Sequence, residues 1–99
     1  MNKINQMLGL AQRARKIITG EELVVKAVRQ GGVHLVILAE DAAANTRKKL
    51  TDKCTSYGVP CETYGDRGTL GQALGKEQRV VVGVTDAGFA AKLTQLLHQ

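Results

Sequence analysis

The chain has 99 residues, of which 43% are hydrophobic and one is proline, as is typical of a single globular domain and not of a disordered chain. Its 14 lysines and arginines against 9 acidic residues give a net charge of +5, which favours a polyanionic partner such as a nucleic acid. The three aromatic residues are too few for a base-stacking platform, and the apolar runs are too short to span a bilayer.

Chemistry-bearing residues are sparse. Cys54 and Cys61 match no zinc-binding or C-x-x-C spacing, and we expect both as reduced, half-buried thiols. Neither histidine has a partner at a spacing that would make a set of nucleophile, base and oxyanion donor. The sequence therefore predicts a protein that is not an enzyme and needs no metal or cofactor. Because no charged-then-apolar leader is recognisable, we expect it in the cytoplasm.

The first third of the chain predicts two helices joined by a short strand. Apolar residues at helical spacing predict a helix over residues 3–14, and residues 17–18 form the strand. Thr19 is the predicted N-cap of the second helix, and Glu22 completes a T-x-x-E capping box. This helix should end near Gln30, before two glycines.

The middle of the chain predicts a buried strand and a third helix. The apolar run of residues 34–39 does not alternate, which indicates a strand buried on both faces. Asp41 or Asn45 should cap the following helix, which residues 58–60 should end. The predicted inner face of that helix carries Leu50, Cys54 and Tyr57.

The last third predicts two strands and two helices. Residues 61–64 form a short edge strand, and the loop 65–68 is the most flexible stretch by composition. A short helix follows over residues 69–74, and residues 79–84 form a second buried strand. Residues 85–86 cap the final helix.

This alternation of helices and strands predicts an α/β fold, a three-layer α/β/α sandwich with a small four-stranded mixed sheet, in one domain over residues 1–99. Ligands of such folds bind beyond the carboxyl ends of the strands, which here are the loops 40–42 and 65–68. The glycines of the second loop match neither a P-loop nor a dinucleotide-binding fingerprint.

The start of the second helix is the first candidate site. A helix N-terminus offers unpaired N–H groups and a partial positive charge to a phosphate or a base edge. A well-capped helix without a ligand is the alternative interpretation. Further basic residues stand at helix starts and in loops and predict a phosphate-binding surface; they are Arg13, Arg15, Lys16, Lys26, Arg29, Arg47, Lys48, Lys49 and Arg67. Lys76, Arg79 and Lys92 are interpreted as solvated charges.

Several motifs together resemble the L7Ae superfamily, which also holds L30e, S12e and Gadd-type proteins. In order, they are Gly20 with Lys26, residues 35–41, residues 59–60, and L-G-Q-A-L-G at 70–75. They cover nearly the whole chain at the spacings of that superfamily. The opening residues 8–16 and T-D-x-G-F-A at 85–90 resemble most closely its bacterial YlxQ-type, ribosomal-protein-like branch.

The resemblance implies a sandwich that binds structured RNA, often a kink-turn, which is a bent duplex with sheared G·A pairs. Family members read the sheared guanines through an Asn-Glu pair in G-x-N-E-x-x-K. Here Gly20 and Lys26 match that motif, but Glu22 and Leu23 replace the pair, which changes the hydrogen-bonding pattern. Kink-turn specificity is therefore open.

We expect a non-enzymatic protein that binds ribosomal or other structured RNA, with the ribosome as a candidate partner and a monomer favoured. A protein-interaction module that has lost kink-turn specificity is the alternative, and a recruitment domain for a separate RNA-modifying enzyme is a third. The predicted RNA-binding residues are Lys16, Gly20, Glu21, Glu22, Leu23, Lys26, Glu40, Arg47, Lys48, Arg67, Gly68 and Thr69.

Overall fold

Helices and strands alternate along residues 2–99, the part of the chain that the computed structural model describes. The elements are α1 (Lys3–Arg13), β1 (Ile17–Thr19), α2 (Glu21–Arg29), β2 (Leu35–Leu38), α3 (Ala44–Tyr57), β3 (Cys61–Thr63), α4 (Arg67–Ala73), β4 (Val81–Val84) and α5 (Ala87–Leu97). Each predicted helix and strand is therefore present. No helix in this part of the chain is long and apolar enough to cross a membrane.

The four strands form one mixed sheet in the order β1-β4-β2-β3. β2 and β3 are parallel, whereas β4 is antiparallel to both of its neighbours, β1 and β2. Consequently β1, β2 and β3 all run in one direction, and their carboxyl ends meet at the same edge of the sheet. β3 lies at one side of the sheet, which confirms the predicted edge strand.

Helices cover both faces of the sheet, which confirms the three-layer sandwich. One core contains residues of α1, α4 and α5, and the other contains residues of α2 and α3. β2 contributes Leu35 and Ile37 to the first core, and Val36 and Leu38 to the second. All four side chains are buried, as the non-alternating apolar run predicts.

The predicted cap of α2 is wrong. Thr19 is extended and pairs with Val82 as the last residue of β1, so it cannot also begin the helix. The N-cap is Gly20, with φ of 102° and ψ of 143°, a backbone conformation that essentially only glycine adopts. Glycine has no side chain, so the predicted capping box with Glu22 does not form.

The predicted caps of α3 are also wrong. The helix begins after Ala43, which supplies no side-chain hydrogen bond. Asn45 lies inside the first turn, where its Oδ1 accepts from the N–H of Thr46 at 3.0 Å. Asp41 lies before the helix and binds a residue of α4 instead. Gly58 ends α3 in the left-handed conformation, with φ of 69°, as predicted.

The orientation of Tyr57 and the start of α4 also differ from the prediction. Tyr57 is 51% exposed and does not lie on the inner face of α3. α4 begins at Arg67 because the Asp66 carboxylate caps it, accepting from the N–H of Thr69 at 2.7 Å. The end of the supposedly flexible loop is therefore helical. Asp86 caps α5 as predicted.

Candidate nucleic-acid interface

Three loops meet at the edge of the sheet where β1, β2 and β3 end. They enclose an open cleft of about 510 Å³, bordered by the first residues of α2, the start of α3, Arg67 and Arg79. The predicted loops 40–42 and 65–68 both belong to this edge, since the N–H of Glu40 donates to the carbonyl of Gly65 at 2.7 Å. The start of α2 joins them because β1 runs parallel to β2.

The start of α2 carries backbone N–H groups that have no acceptor among residues 2–99. The N–H of Gly20 donates to Val81, and its carbonyl accepts from Val24. The next three amides, of residues 21–23, meet no side-chain cap and no backbone acceptor among residues 2–99. By contrast, α1, α4 and α5 are capped by Asn2, Asp66 and Asp86.

Glu21 connects the start of α2 with α3. Its Oε2 lies 3.2 Å from Nζ of Lys49. Hydrogen bonds from Thr46 and then Lys49 lower the pKa of the Glu21 carboxyl group, so it stays ionised at neutral pH. Because Lys49 compensates this charge, the first acidic residue of α2 need not repel an anion at the cleft.

Arg67 and Asp41 connect α4 with the loop after β2. The backbone N–H and Nε of Arg67 donate to the Asp41 carboxylate, each at 3.0 Å, and Nη2 donates to the Asp41 carbonyl at 2.7 Å. The carbonyl of Arg67 accepts from the N–H of Arg79 at 3.0 Å. These bonds fix the positions of both arginines at the cleft.

Arg47 forms hydrogen bonds at the ends of β2 and β3. Its Nη2 donates to the carbonyl of Ala39 at 2.8 Å and its Nη1 to Oγ1 of Thr63 at 2.9 Å. It therefore caps the ends of β2 and β3, and most of its donors are used within the protein. Lys48 points away, is 79% exposed, and pairs with Asp52 one turn on at 3.4 Å.

The thiols of Cys54 and Cys61 form no disulfide. Cys54 is buried and Cys61 is partly buried. Hydrogen bonding to Cys54 lowers the pKa of Cys61, with Thr51 and the charge of Arg47 adding to the effect, and the pKa of Cys54 is raised in turn. The sequence does not show this interaction, because these neighbours are adjacent only in the fold.

The comparisons with known proteins agree on one family. The model of the ribosomal protein L7Ae/L30e/S12e/Gadd45 family matches residues 2–94. The chain belongs to this family. It is 56% identical over 91 residues to "RNA-binding protein YlxQ" of Bacillus subtilis (strain 168), which covers 92% of this chain and 91% of the relative. It is 36% identical over 99 residues to "Large ribosomal subunit protein eL30" of Candida glabrata, covering 94% and 90%.

Two solved structures have the same fold. A protein of unknown function from Bacillus halodurans C is 55% identical, with a TM-score of 0.98 and all of both chains covered. The Giardia lamblia 15.5kD RNA binding protein is 24% identical, with a TM-score of 0.79 and coverage of 94% of this chain and 85% of that one. At this identity the second likeness concerns the fold alone.

Within this L7Ae-family fold, most residues predicted for the site lie around the cleft. Gly20, Glu21 and Arg67 line it. Glu22, Leu23 and Lys26 are exposed on α2, and Leu23 is 53% exposed although it is apolar. Glu40 lies in the loop after β2, and Gly68 and Thr69 lie in the first turn of α4.

Lys16 lies apart from the others. It precedes β1, and its carbonyl accepts from the N–H of Thr85 at the opposite edge of the sheet. Four residues of extended chain place its backbone about 13 Å from Gly20. The structure therefore does not bring Lys16 to the cleft.

Two basic residues have positions that the sequence did not predict. Arg79, whose charge is interpreted from the sequence as solvated, is half-buried and lines the cleft. The signal was its place directly before β4, since the start of an antiparallel strand lies beside the ends of its neighbours. Lys49 is predicted as part of the phosphate-binding surface, whereas the structure pairs it with Glu21.

Proposed function

We propose that this chain is a non-enzymatic RNA-binding protein that holds structured RNA against the cleft at the ends of β1, β2 and β3. The observation that carries the proposal is the start of α2, where three backbone N–H groups have no acceptor in the described part of the chain and lie beside two arginines. Such a helix terminus binds anions, and a cationic border strengthens that preference. The names of the YlxQ and eL30 relatives support RNA as the anion.

Phosphate contacts would supply most of the affinity. Lys26 is exposed on α2 and forms no ion pair with any residue of the described chain. Arg79 has no carboxylate partner there either, and its Nη1 donates only to the adjacent carbonyl of Gln78. Arg67 keeps Nη1 for a phosphate while its other donors hold Asp41. Cationic contacts of this kind position the RNA without reading its sequence.

Glu22 and Leu23 would supply selectivity, with a kink-turn as the RNA. Glu22 is exposed on the first turn of α2, where its carboxylate can accept from the N–H groups of an unpaired guanine edge. Leu23 offers an apolar surface to a ribose or a base face. The site thus replaces the amide-and-carboxylate pair of the family motif by one acceptor and one apolar contact. Ribosomal RNA in the cytoplasm is the proposed source of the ligand.

The test is a salt titration of the affinity for a kink-turn RNA and for an unkinked duplex of equal length. We expect tighter binding of the kink-turn at every salt concentration, with similar salt slopes for both RNAs because phosphate contacts set the slope. Equal affinity for both RNAs would reject kink-turn specificity and would leave only the proposal of a phosphate-binding surface. No binding to either would contradict the proposed function.

A further inference from the structure

A groove between α1 and α5 lies in the layer opposite to α2 and α3, away from the cleft. Its volume is about 640 Å³. Met7, Leu10 and Leu96 form its apolar part, and Leu10 is 45% exposed although its neighbours on α1 are packed into the core. These three side chains make the floor of the groove mainly apolar.

The charged residues that line this groove are all cationic, and its other polar lining residues are the neutral Asn5, Gln6 and Gln99. Lys3, Arg13 and Lys92 line it and are exposed, and none of them forms an ion pair within residues 2–99. α1 and α5 contain no aspartate or glutamate. Lys3 and Arg13 are ten residues apart on α1, which corresponds to about 15 Å along the helix axis. The apolar surface therefore lies between positive charges.

We infer that this groove binds an acidic amphipathic α-helix of a partner protein. A groove between two packed helices accepts the side-chain ridge of a third helix. A leucine or methionine row would cover Leu10 and Met7, and carboxylates at both ends of that row would reach Lys3, Arg13 and Lys92. An RNA strand fits less well, because no aromatic residue lines the groove to stack a base and its centre is apolar.

The experiment uses the full chain and a synthetic helical peptide of about 14 residues, or four turns. The peptide carries leucines at i, i+3, i+4 and i+7 and glutamates in its first and last turns, and a second peptide has glutamine in place of each glutamate. Affinity is measured by fluorescence anisotropy, and the contacts are mapped by NMR chemical shifts. We expect saturable binding of the acidic peptide, about tenfold weaker binding of the glutamine peptide, and shifts confined to α1 and α5.

Variants separate the groove from general basic charge. Lys92→Glu should weaken binding of the acidic peptide about tenfold. Leu10→Ser should weaken it by a similar factor, and this variant should still fold because Leu10 is exposed. Lys26→Glu makes the same charge change on α2 and should leave the affinity unaltered. Equal effects of Lys92→Glu and Lys26→Glu would overturn the proposal. So would equal affinity for both peptides, self-association through α1 and α5, or kink-turn RNA shifting the resonances of these helices.

Discussion

Arg67 binds Asp41 through three hydrogen bonds, from its backbone N–H and Nε to the carboxylate and from Nη2 to the carbonyl. This pair joins the start of α4 to the loop after β2, and Arg79 bonds to the carbonyl of Arg67 on the other side. The cleft is therefore a connected structure, although its parts come from distant segments of the chain. Ordering these loops before RNA arrives lowers the entropic cost of binding.

Asp41→Ala should loosen the cleft. The substitution removes both carboxylate bonds of Arg67, and since the pair is partly exposed we expect a loss of about 1 kcal/mol in the free energy of unfolding. RNA affinity should fall as well, because Arg67 loses its fixed orientation. Urea unfolding and a binding titration measure the two effects. The control is Asp52→Ala, which removes the exposed partner of Lys48 and should change neither the free energy of unfolding nor the RNA affinity appreciably. Equal effects of Asp41→Ala and Asp52→Ala would refute the role of Asp41.

Gly20→Ala should destabilise the protein through the backbone alone. A Cβ at this position would meet no atom within 4 Å, so the cost comes from φ of 102°, which L side chains rarely adopt. We expect a loss of about 1–3 kcal/mol on urea unfolding. Gly32→Ala is the control, since its added Cβ makes only an ordinary contact at 3.6 Å and its φ is not positive. A Gly20→Ala protein as stable as this control would contradict the argument.

The sequence predicted the elements well because their patterns are local. β2 could be recognised as buried on both faces from residues 34–39 alone, and Gly58 as the end of α3 from its type. The start of α2 could not be placed, because Thr19 is held in β1 by pairing with Val82, more than sixty residues away. Local capping signals cannot show such a long-range competition.

The same limit applies to the candidate site. Arg47 and Arg79 are alike in sequence, yet Arg47 is directed at backbone carbonyls and Arg79 at the open cleft. Residue type and charge do not distinguish a supporting arginine from an available one. The family motif selects Gly20 and Lys26 as candidates by spacing and residue type; Gly20 lines the cleft and Lys26 is exposed on α2.

Gly71 in the motif L-G-Q-A-L-G serves the fold. It is buried in α4, and a Cβ added there would lie 1.9 Å from the carbonyl oxygen of Glu77. Gly71→Ala must therefore displace backbone, and we expect a loss of about 3 kcal/mol in the free energy of unfolding. Gly68→Ala, in the same helix, adds a Cβ 3.4 Å from the flexible Asp66 side chain and should cost much less. Equal urea unfolding midpoints for Gly71→Ala and Gly68→Ala would show that close packing does not require a glycine at position 71.

Asp66 should make stability depend on acidic pH. The Thr69 backbone N–H, and then the Thr69 hydroxyl, lower the pKa of its carboxyl group below the usual 3.8. Its contribution is fully present above the unfolded pKa and is lost as the pH falls through the folded pKa. Asp66→Asn keeps an N-cap acceptor but has no charge. The wild type should be the more stable at about pH 6, and the difference should shrink below about pH 4 in urea unfolding. A difference that is constant over this range would refute the linkage.

Lys26 should contribute one phosphate contact to RNA binding. It is exposed on α2, one turn from the free amides, and no acidic residue of residues 2–99 pairs with it. Lys26→Ala should weaken the binding of kink-turn RNA and of duplex to similar extents, and reduce the slope of log K against log salt by about one. Lys92→Ala makes the same charge change on α5, in the opposite layer, and should leave both the affinity and the slope close to those of the wild type. A Lys26→Ala protein with the salt slope of the wild type would show that Lys26 does not contact the RNA backbone. If Lys26→Ala and Lys92→Ala lowered the slope equally, the effect would come from net charge and not from the position of Lys26.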